Sequence, residues 1–288
     1  MNPPENPAVL RSACDVLVIG GGPAGSTAAA LLAERGHRVT LLEKTHHPRF
    51  HIGESLLPAN LPLLEKLGVA DEVKAIGMEK WGAEFVSPWH EHKQAFEFAD
   101  ALDKTMPMAY QVRRSAFDEI LIRNAARKQA RVVEGCQVND VNFLPEEAGA
   151  VVHARHEDGR EEIVQARFVL DASGRDTFLA GKFNLKRRND SHNSAAIFGH
   201  FSGVERRPGE DAGNISVYWF EHGWYWLIPL KDGAVSVGAV CWPYYLRRRN
   251  KPVDEFLWDT LRLNPLLAER MKNARLLAPA LATGNFSY

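Results

Sequence analysis

The turn Gly20-Gly21-Gly22-Pro23-Ala24-Gly25 restricts the folds that this chain can adopt. It follows the largely apolar run Asp15–Ile19, which predicts a strand buried on both faces of a parallel sheet. After the turn, Ala24–Glu34 is rich in residues that favour a helix. The segment Arg38–Leu42 predicts a second strand, with Glu43 at its carboxyl end. The sequence therefore predicts a strand–helix–strand unit at the start of an α/β fold.

Each part of this unit has a physical role in holding a dinucleotide. Gly20 permits the tight turn, Gly22 lets a pyrophosphate approach the backbone, and Gly25 lets helix and strand pack closely. Pro23 and Ala24 begin the helix, whose unpaired N–H groups and dipole favour an anion. Glu43 can accept hydrogen bonds from the adenosine ribose. The pattern fits either NAD or FAD at this point, and the structural alternative is a tight turn beside an incidental surface glutamate.

The composition is that of an ordinary globular protein, with 45% hydrophobic residues, 25% charged residues and a formal net charge of -1. The short basic runs Lys186–Arg188 and Arg247–Arg249 are typical of solvated surface, so we expect no nucleic-acid partner. The polar start Met1–Pro7 lacks the features of a secretory signal, and Val16–Ile19 is too short to span a bilayer. No membrane association and a cytoplasmic location are therefore expected.

Metal-binding and disulfide patterns are not evident. The three cysteines are widely separated, which argues against a disulfide framework or a Cys-x-x-Cys metal site. The histidines that could suggest a metal lack cysteine partners and a His-Glu-x-x-His arrangement; they are His46, His47, His51, His90 and His92. We expect no metal centre. A serine hydrolase is also unsupported, since no Gly-x-Ser-x-Gly elbow is present.

Three later segments favour FAD over NAD. Tyr110–Asp118 introduces a helix to about Lys128 and resembles the Arg-x-x-Phe-Asp segment of FAD-dependent monooxygenase-like proteins. Ala130–Val141 resembles the short strand that meets the adenine in those proteins, and Val169–Arg175 resembles their second flavin fingerprint. The residues that this resemblance assigns to FAD are Arg114, Val138 and Asp171. Because no second Gly-x-Gly-x-x-Gly unit appears, electrons would come from a nicotinamide without its own domain or from another protein.

The rest of the chain predicts antiparallel strands. Val151–His156 and Glu162–Val164 flank an Asp-Gly turn and predict a hairpin. From Ala195 to Val240, short β-rich runs alternate with turn residues and predict a second sheet that covers a substrate chamber. The predicted fold is α/β, with a Rossmann-like FAD-binding domain and a second antiparallel-sheet substrate domain. Its predicted boundaries are 1–85 and 105–185 for the FAD-binding domain, and 86–104 and 186–288 for the β-rich region.

Three further segments resemble the flavin-dependent halogenases. Gly223–Pro229 matches the Trp-x-Trp-x-Ile-Pro signature of that family. Phe50–Pro58 is similar to the Gly-Glu-Ser-Leu-Leu-Pro stretch of members that act on phenols, pyrroles or carrier-bound substrates, whereas members acting on free tryptophan typically differ here. Lys80–Phe85 resembles the segment with the family's essential lysine. The chain is therefore identified as similar to a phenol- or pyrrole-type halogenase.

The resemblance implies a set of site residues and partners. A separate flavin reductase would supply reduced FAD, and dioxygen and a halide ion would then yield hypohalous acid. The acid would reach the catalytic residue Lys80. From there the halogen would be delivered to an electron-rich aromatic substrate, free or carrier-bound. Residues added to the FAD-binding set are Lys44, Arg49, Gly53, Glu54 and Ser55; those assigned to shielding the substrate from the flavin are Trp224, Trp226 and Pro229.

Ordinary structural roles compete with these assignments. Two tryptophans that alternate along a strand face the same side and are often simply core residues. An isolated lysine is usually on the surface, although the apolar setting of Lys80 allows burial that would lower its pKa.

The family's third motif, Gly-Asp-Ala, would follow Thr283–Tyr288, so the chain is expected to be shortened at its C-terminus and inactive alone. An FAD-dependent hydroxylase, an isoprenoid reductase or a non-catalytic flavin-binding remnant remain alternatives.

Overall fold

The computed structural model describes residues 9–89, 92–187, 189 and 193–284. Four features of the sequence lie outside the described residues: the polar start Met1–Pro7, His90, Arg188 and the last four residues, 285–288.

The chain forms short helices and many strands. The strands are β1 (Leu10–Ile19), β2 (Val39–Leu42), β3 (Met78–Lys80), β4 (Gly82–Ser87), β5 (His92–Glu97), β6 (Ala109–Gln111), β7 (Arg131–Val133), β8 (Cys136–Phe143), β9 (Ala150–His156), β10 (Glu161–Asp171), β11 (Ala195–Ser202), β12 (Ile215–Phe220), β13 (Gly223–Pro229), β14 (Val235–Cys241), β15 (Arg275–Leu276) and β16 (Leu281–Thr283). The helices are α1 (Pro23–Glu34), α2 (Leu61–Leu67), α3 (Ala70–Ile76), α4 (Arg114–Arg127), α5 (Phe178–Lys182), α6 (Pro243–Leu246), α7 (Val253–Arg262) and α8 (Pro265–Arg270). Among the described helices, none combines the length and apolar character needed to cross a bilayer.

Contacts divide the chain into two compact units. The first comprises Met1–Ile52, Glu65–Glu72 and Arg114–Lys186, and the second comprises Gly53–Leu64, Val73–Arg113 and Arg187–Tyr288. This division differs from the predicted domain boundaries mainly at 53–64, 73–85 and 105–113, which the sequence places in the FAD-binding domain. Lys80 therefore belongs to the second compact unit.

The first unit is built on a six-stranded sheet in the order β7-β2-β1-β10-β9-β8. Strand β1 pairs in parallel with both β2 and β10, and α1 connects β1 to β2, so the predicted strand–helix–strand unit is confirmed. The predicted hairpin is also present, as β9 pairs antiparallel with β10. The strand predicted at 162–164 extends to Asp171 as β10, because its parallel register with β1 continues from the pair Leu10–Glu162 to the pair Ile19–Asp171.

The second unit is built on an eight-stranded sheet in the order β15-β11-β14-β13-β12-β4-β5, with β16 also paired to β11. The predicted antiparallel sheet is therefore present, although β4 and β12 pair in parallel. One face packs Tyr225 and Leu227 of β13 against Leu257 and Leu261 of α7. Helix α7 was not predicted from the sequence, although its apolar residues recur at helical spacing.

Strands β3 and β6 form a small separate ladder in the same unit. Segment 54–56 lies on the other edge of β6, where Leu56 N donates to Tyr110 O at 3.0 Å and Val112 N donates to Glu54 O at 2.8 Å. Strand β6 is thus the middle of a three-stranded ladder, in which one edge segment carries Lys80 and the other carries Ser55.

Candidate functional site

The turn after β1 requires glycine at two positions. Gly20 has a φ of +100°, and a Cβ there would lie 2.6 Å from Ala172 O. A Cβ on Gly25 would lie 1.9 Å from Gly20 O, so only glycine lets α1 approach the turn this closely. Both positions therefore have the structural roles that the motif predicts.

Gly22 differs, because the space beside it is open. The nearest atom to a Cβ built there is Arg49 Nη2 at 3.8 Å, and its backbone is extended, with φ of -71°. Gly22 is the N-cap of α1, which begins with Pro23 and Ala24. The first turn of this helix contains no acidic residue, and no side chain caps its N–H groups. The N–H groups of this helix start are thus available to an anion approaching from the open side.

Glu43 lies buried beside the turn. Its Oε2 accepts from Gly21 N at 2.6 Å, and its Oε1 accepts from Thr45 N at 3.0 Å and Thr45 Oγ1 at 2.6 Å. Burial alone would raise the pKa of Glu43, but these hydrogen bonds outweigh it and leave the pKa lowered. Glu43 O also accepts from Cys136 N at 2.9 Å, so β8 begins here, with Val138 buried two residues later at a register shift.

Two arginines converge on a buried aspartate that the sequence analysis did not include among the site residues. Arg114 donates to both oxygens of Asp118, at 2.7 and 2.9 Å, and to Ile52 O at 2.7 Å. Arg49 Nη1 lies 3.5 Å from Asp118 and its Nε lies 3.9 Å from Glu43, distances too long for strong hydrogen bonds. Arg114 is therefore held in place by three hydrogen bonds, whereas the Arg49 guanidinium retains donors for a ligand. The Phe-Asp pair of the Arg-x-x-Phe-Asp segment was the available signal for Asp118.

Lys44 and Asp171 are both engaged within the first unit. Lys44 forms an ion pair with Asp176. Asp171 accepts from Ser173 N at 3.0 Å and from Leu179 N at 2.7 Å, which holds the turn between β10 and α5. Direct roles for these two side chains in binding FAD remain predictions.

Lys80 is buried in the second unit, with only 1% of its surface exposed. Its Nζ donates to Ser55 Oγ at 2.9 Å and to Leu56 O at 2.5 Å, and lies 5.1 Å from the centre of the Phe98 ring. Burial lowers the pKa of Lys80 to about 8. This amine is therefore held in place by two neutral acceptors and has a substantial neutral fraction near physiological pH.

The backbone around Lys80 is held by a residue that sequence reasoning missed. Asn214 Oδ1 accepts from Trp81 N and Gly82 N, both at 2.8 Å, immediately after the lysine. The preceding Gly213 packs so closely that a Cβ would lie 1.8 Å from Glu79 O. No local pattern marks Asn214, because its partners lie more than 130 residues away in the sequence.

Glu54 is buried next to Ser55. Its Oε1 lies 2.8 Å from His200 Nε2, whereas its Oε2 has no hydrogen-bond partner among the described residues. An unsatisfied buried carboxylate oxygen is costly, so it is suited to accept from an N–H or O–H group of a ligand. Gly53 precedes it with a φ of +105°, a conformation that favours glycine.

The tryptophans of β13 lie on the face opposite Tyr225 and Leu227. Trp226 is buried, donates from Nε1 to Ser236 Oγ at 3.2 Å and has its ring centre 6.0 Å from that of Trp224. Its ring lies over Gly238, where a Cβ would lie 2.3 Å from Trp226 Cζ2. Pro229 ends the strand and is paired with Val235. Trp226 is therefore a packed residue of this sheet face, and its role in shielding the substrate from flavin remains a prediction.

One group of side chains in the first unit has the composition of a metal site. Ligand atoms of Cys136, His156 and Glu162 lie within 4.8 Å of one another. However, Glu162 already accepts from Ser12 Oγ at 3.0 Å and is paired with Arg131 at 2.7 Å and His156 at 3.0 Å. Burial also raises the pKa of Cys136 to about 11, which keeps the thiol protonated. These contacts account for the buried glutamate without an ion, and the absence of a metal remains a prediction.

The family of the chain follows from a match that covers most of its length. Residues 13–270, which include the glycine turn, Glu43, Lys80 and Asp171, match the family described as FAD binding domain. The chain belongs to this FAD-binding family. Its cofactor is FAD, as predicted, and the open Gly22, the helix start, Arg49 and Glu43 form a set of groups that fits the ADP half.

Relatives of this FAD-binding chain include flavin-dependent halogenases. It is 34% identical to a tryptophan 2-halogenase of Chondromyces crocatus, over 97% of this chain and 53% of the relative. It is 30% identical to a 1H-pyrrole-2-carbonyl-[peptidyl-carrier protein] chlorinase of Pseudomonas fluorescens, over 95% of this chain and 66% of the relative. The solved structure of the myxobacterial chondrochloren halogenase matches with a TM-score of 0.87 and 34% identity, over 96% of this chain and 65% of that one.

These matches confirm the predicted α/β FAD-binding fold and the predicted similarity to flavin-dependent halogenases. The chain spans about half to two thirds of the length of these relatives. The matches are made over long segments rather than at single positions, so the roles of individual residues remain predictions.

Proposed function

We propose that the chain is the FAD-binding and lysine-bearing part of a flavin-dependent halogenase that acts on an electron-rich aromatic small molecule. The observation that carries this proposal is the buried amine of Lys80, held between Ser55 Oγ and Leu56 O in a chain that belongs to an FAD-binding family. A lysine buried without a carboxylate partner is expensive to maintain, so a chemical role explains it better than packing does.

The groups of the first unit would hold the ADP half of FAD. The pyrophosphate would bind the N–H groups at the start of α1 on the open side of Gly22, with Arg49 as the nearby cation. The ionised Glu43 would accept from the ribose hydroxyls. When bound in reduced form, FAD would supply two of the four electrons that reduce dioxygen, and the halide would supply the other two, which leaves hypohalous acid and water.

Lys80 would hold the electrophilic halogen. With a pKa of about 8, roughly one lysine in ten is neutral at pH 7 and carries a free electron pair. The protonated form can donate a hydrogen bond to hypohalous acid, and the neutral form can take up the halogen as a haloamine. Ser55 and Leu56 orient the amine, so that the halogen is delivered from one position rather than released into solvent.

The substrate and partners follow from the resemblance and the relatives' names. The Gly53–Pro58 segment favours a phenol or a pyrrole, and one relative is named as a chlorinase of a pyrrole bound to a carrier protein. Another relative is named as a tryptophan 2-halogenase, which adds an indole as a second candidate substrate. A separate flavin reductase is the proposed electron source, and the cytoplasmic location stays a prediction.

The test uses protein that includes these 288 residues, with FAD, a flavin reductase, NADH, and chloride or bromide. A panel of phenols, pyrroles, carrier-bound pyrroles and indoles is analysed by mass spectrometry. The isotope pattern of an added halogen is expected, and it should disappear in Lys80→Met but persist in the control Lys93→Met, which changes an exposed lysine of β5.

Other products would refute the proposal in specific ways. Addition of a single oxygen would indicate a hydroxylase, and reduction of an isoprenoid double bond would indicate a reductase of the same fold. FAD retained without any product would indicate a non-catalytic flavin-binding chain. Halogenation that survives in Lys80→Met would exclude the lysine from its proposed role.

A further inference from the structure

Gln111 lies on the central strand, β6, of the three-stranded ladder that carries Lys80. Within β6, Gln111 pairs with Met78 on one side and with Ser55 on the other, while Ala109 pairs with Lys80. Directly paired residues of antiparallel strands point to the same face. The side chains of Lys80, Ser55 and Gln111 therefore share one face of the ladder.

The lysine side chain crosses this face above β6. Lys80 starts on β3, yet its Nζ reaches Ser55 Oγ and Leu56 O on the opposite edge of β6. The small side chain of Ala109, which lies directly opposite Lys80, leaves room for this crossing. Gln111 is the next residue of β6 on the same face, so its side chain starts on the face that the Lys80 side chain crosses.

The orientation of the Gln111 amide is determined by its neighbour. Its Nε2 donates to Gly213 O at 3.1 Å, and because a backbone carbonyl can only accept, the amide nitrogen must face Gly213. The amide oxygen then points the other way. This Oε1 is fully buried and has no hydrogen-bond partner among the described residues. A buried acceptor without a donor is unfavourable, which points to a ligand with a hydrogen to donate.

We propose that Gln111 Oε1 accepts the hydrogen bond of hypohalous acid next to Lys80, an inference that rests on the proposed function. Hypohalous acid has a single O–H group, and holding that group at Gln111 turns its halogen toward the amine. Lys80 and Gln111 together form a two-point site for one small molecule, with the electrophilic end on the amine and the O–H end on the amide.

The step at this site balances without any further reactant. The nitrogen electron pair of neutral Lys80 attacks the halogen, the N–halogen bond forms and the O–halogen bond breaks. The departing hydroxide takes one proton from the amine, so the products are a haloamine and water. The halogen keeps its oxidation state, and the remaining N–H of the haloamine can replace the O–H as the donor to Gln111.

The test supplies the halogenating agent directly and needs neither FAD nor reductase. The purified protein is treated briefly with a limiting amount of sodium hypochlorite at pH 8, small molecules are removed by gel filtration, and the halogen transferred to added phenol is measured as chlorophenol. The amount lost in Lys80→Leu defines the part held by Lys80. The variant Gln111→Leu has a side chain of similar size without an acceptor, and Gln94→Leu serves as a control on the exposed strand β5. Leucine is used because the thioether of methionine would itself consume hypochlorite.

The Lys80-dependent amount is expected to fall about fivefold in Gln111→Leu, the factor that one lost hydrogen bond to a neutral group would produce, and to stay unchanged in Gln94→Leu. Circular dichroism checks that the variants are folded. If Gln111→Leu does not fold, Gln111→Asn replaces it, because it keeps an amide but withdraws the acceptor by one methylene. Yields equal to wild type in the folded Gln111 variant would overturn the role of Gln111. No Lys80-dependent transfer in the wild-type protein would instead overturn the lysine chemistry on which it rests.

Discussion

Replacing Gly22 by alanine should separate cofactor binding from folding. Its backbone, with φ of -71° and ψ of -177°, is accessible to alanine, and the nearest atom to the new methyl group lies 3.8 Å away. Alanine restricts the unfolded chain, which stabilises by about 0.4–1 kcal/mol, but it is a poorer helix N-cap than glycine by a similar amount. The net change in the free energy of unfolding should stay within about 1 kcal/mol, a shift in Tm of less than about 4 °C without FAD.

The same methyl group should weaken FAD binding strongly, because it would occupy the open side of Gly22, which we propose as the place where the pyrophosphate binds. Hydrogen bonds to a charged partner contribute about 1.5–3 kcal/mol each. Losing one or two of them amounts to about 3 kcal/mol, or roughly a 100-fold rise in Kd. At saturating wild-type FAD concentrations, the variant should lose up to about 2.7 kcal/mol of ligand-induced stabilisation.

The assay combines calorimetric titration of the apoprotein with FAD and thermal melting with and without FAD. Gly25→Ala is the contrasting variant, because its Cβ would lie 1.9 Å from Gly20 O and should destabilise the fold itself. Wild-type FAD affinity in Gly22→Ala would refute the assignment of the open side to the pyrophosphate. A large drop in its Tm without FAD would refute the view that the space is free.

Three further predictions concern buried groups. The pKa of Lys80, about 8, lies below its ordinary value of 10.5, so the unfolded chain binds more protons between these pH values and the folded state gains stability as the pH rises through that window. At pH 7, urea unfolding of Lys80→Met should therefore give a free energy of unfolding up to about 3 kcal/mol higher than that of wild type. The gain should be smaller at pH 9.5, and a gain independent of pH would contradict the burial of a charged amine. Gly238→Ala should lower the free energy of unfolding by about 1–3 kcal/mol, because its Cβ would lie 2.3 Å from Trp226. The control Gly181→Ala, whose Cβ would meet nothing within 4 Å, should not lower it. Equal melting temperatures of the two variants would refute this packing. Burial raises the pKa of Cys136 to about 11 and of Cys241 to about 12, so Ellman's reagent should react slowly with the native thiols at pH 8 and rapidly after denaturation; a fast native phase would contradict their burial.

Features that depend on neighbours in the sequence could be predicted well. The glycine turn, α1 and Glu43 all lie within one strand–helix–strand unit, and their spacing alone defines the geometry that the structure has. The hairpin of β9 and β10 was likewise marked by its Asp-Gly turn. The extension of β10 to Asp171 was missed, because its continuity depends on pairing with β1, 150 residues earlier in the chain.

The site residues divide in the same way. The motifs singled out Arg114 and Lys80, but not the partners that determine what these side chains can do. Arg114 and Asp118 lie four residues apart on α4, a spacing that the sequence shows, whereas only the tertiary structure leaves Arg49 with donors for a ligand. Asn214 holds the backbone beside Lys80 from a distant strand.

The sequence by itself determined that this chain folds around a dinucleotide turn, since turn chemistry, helix propensity and strand pattern are local properties of the chain. Only the tertiary structure decided that the open side of that turn faces Arg49, that Lys80 is buried and that Gln111 Oε1 is buried without a donor among the described residues. Burial and hydrogen-bond satisfaction depend on which distant segments pack together. These two quantities set the pKa of the lysine and leave the glutamine oxygen unpaired in the part of the chain that the structure describes.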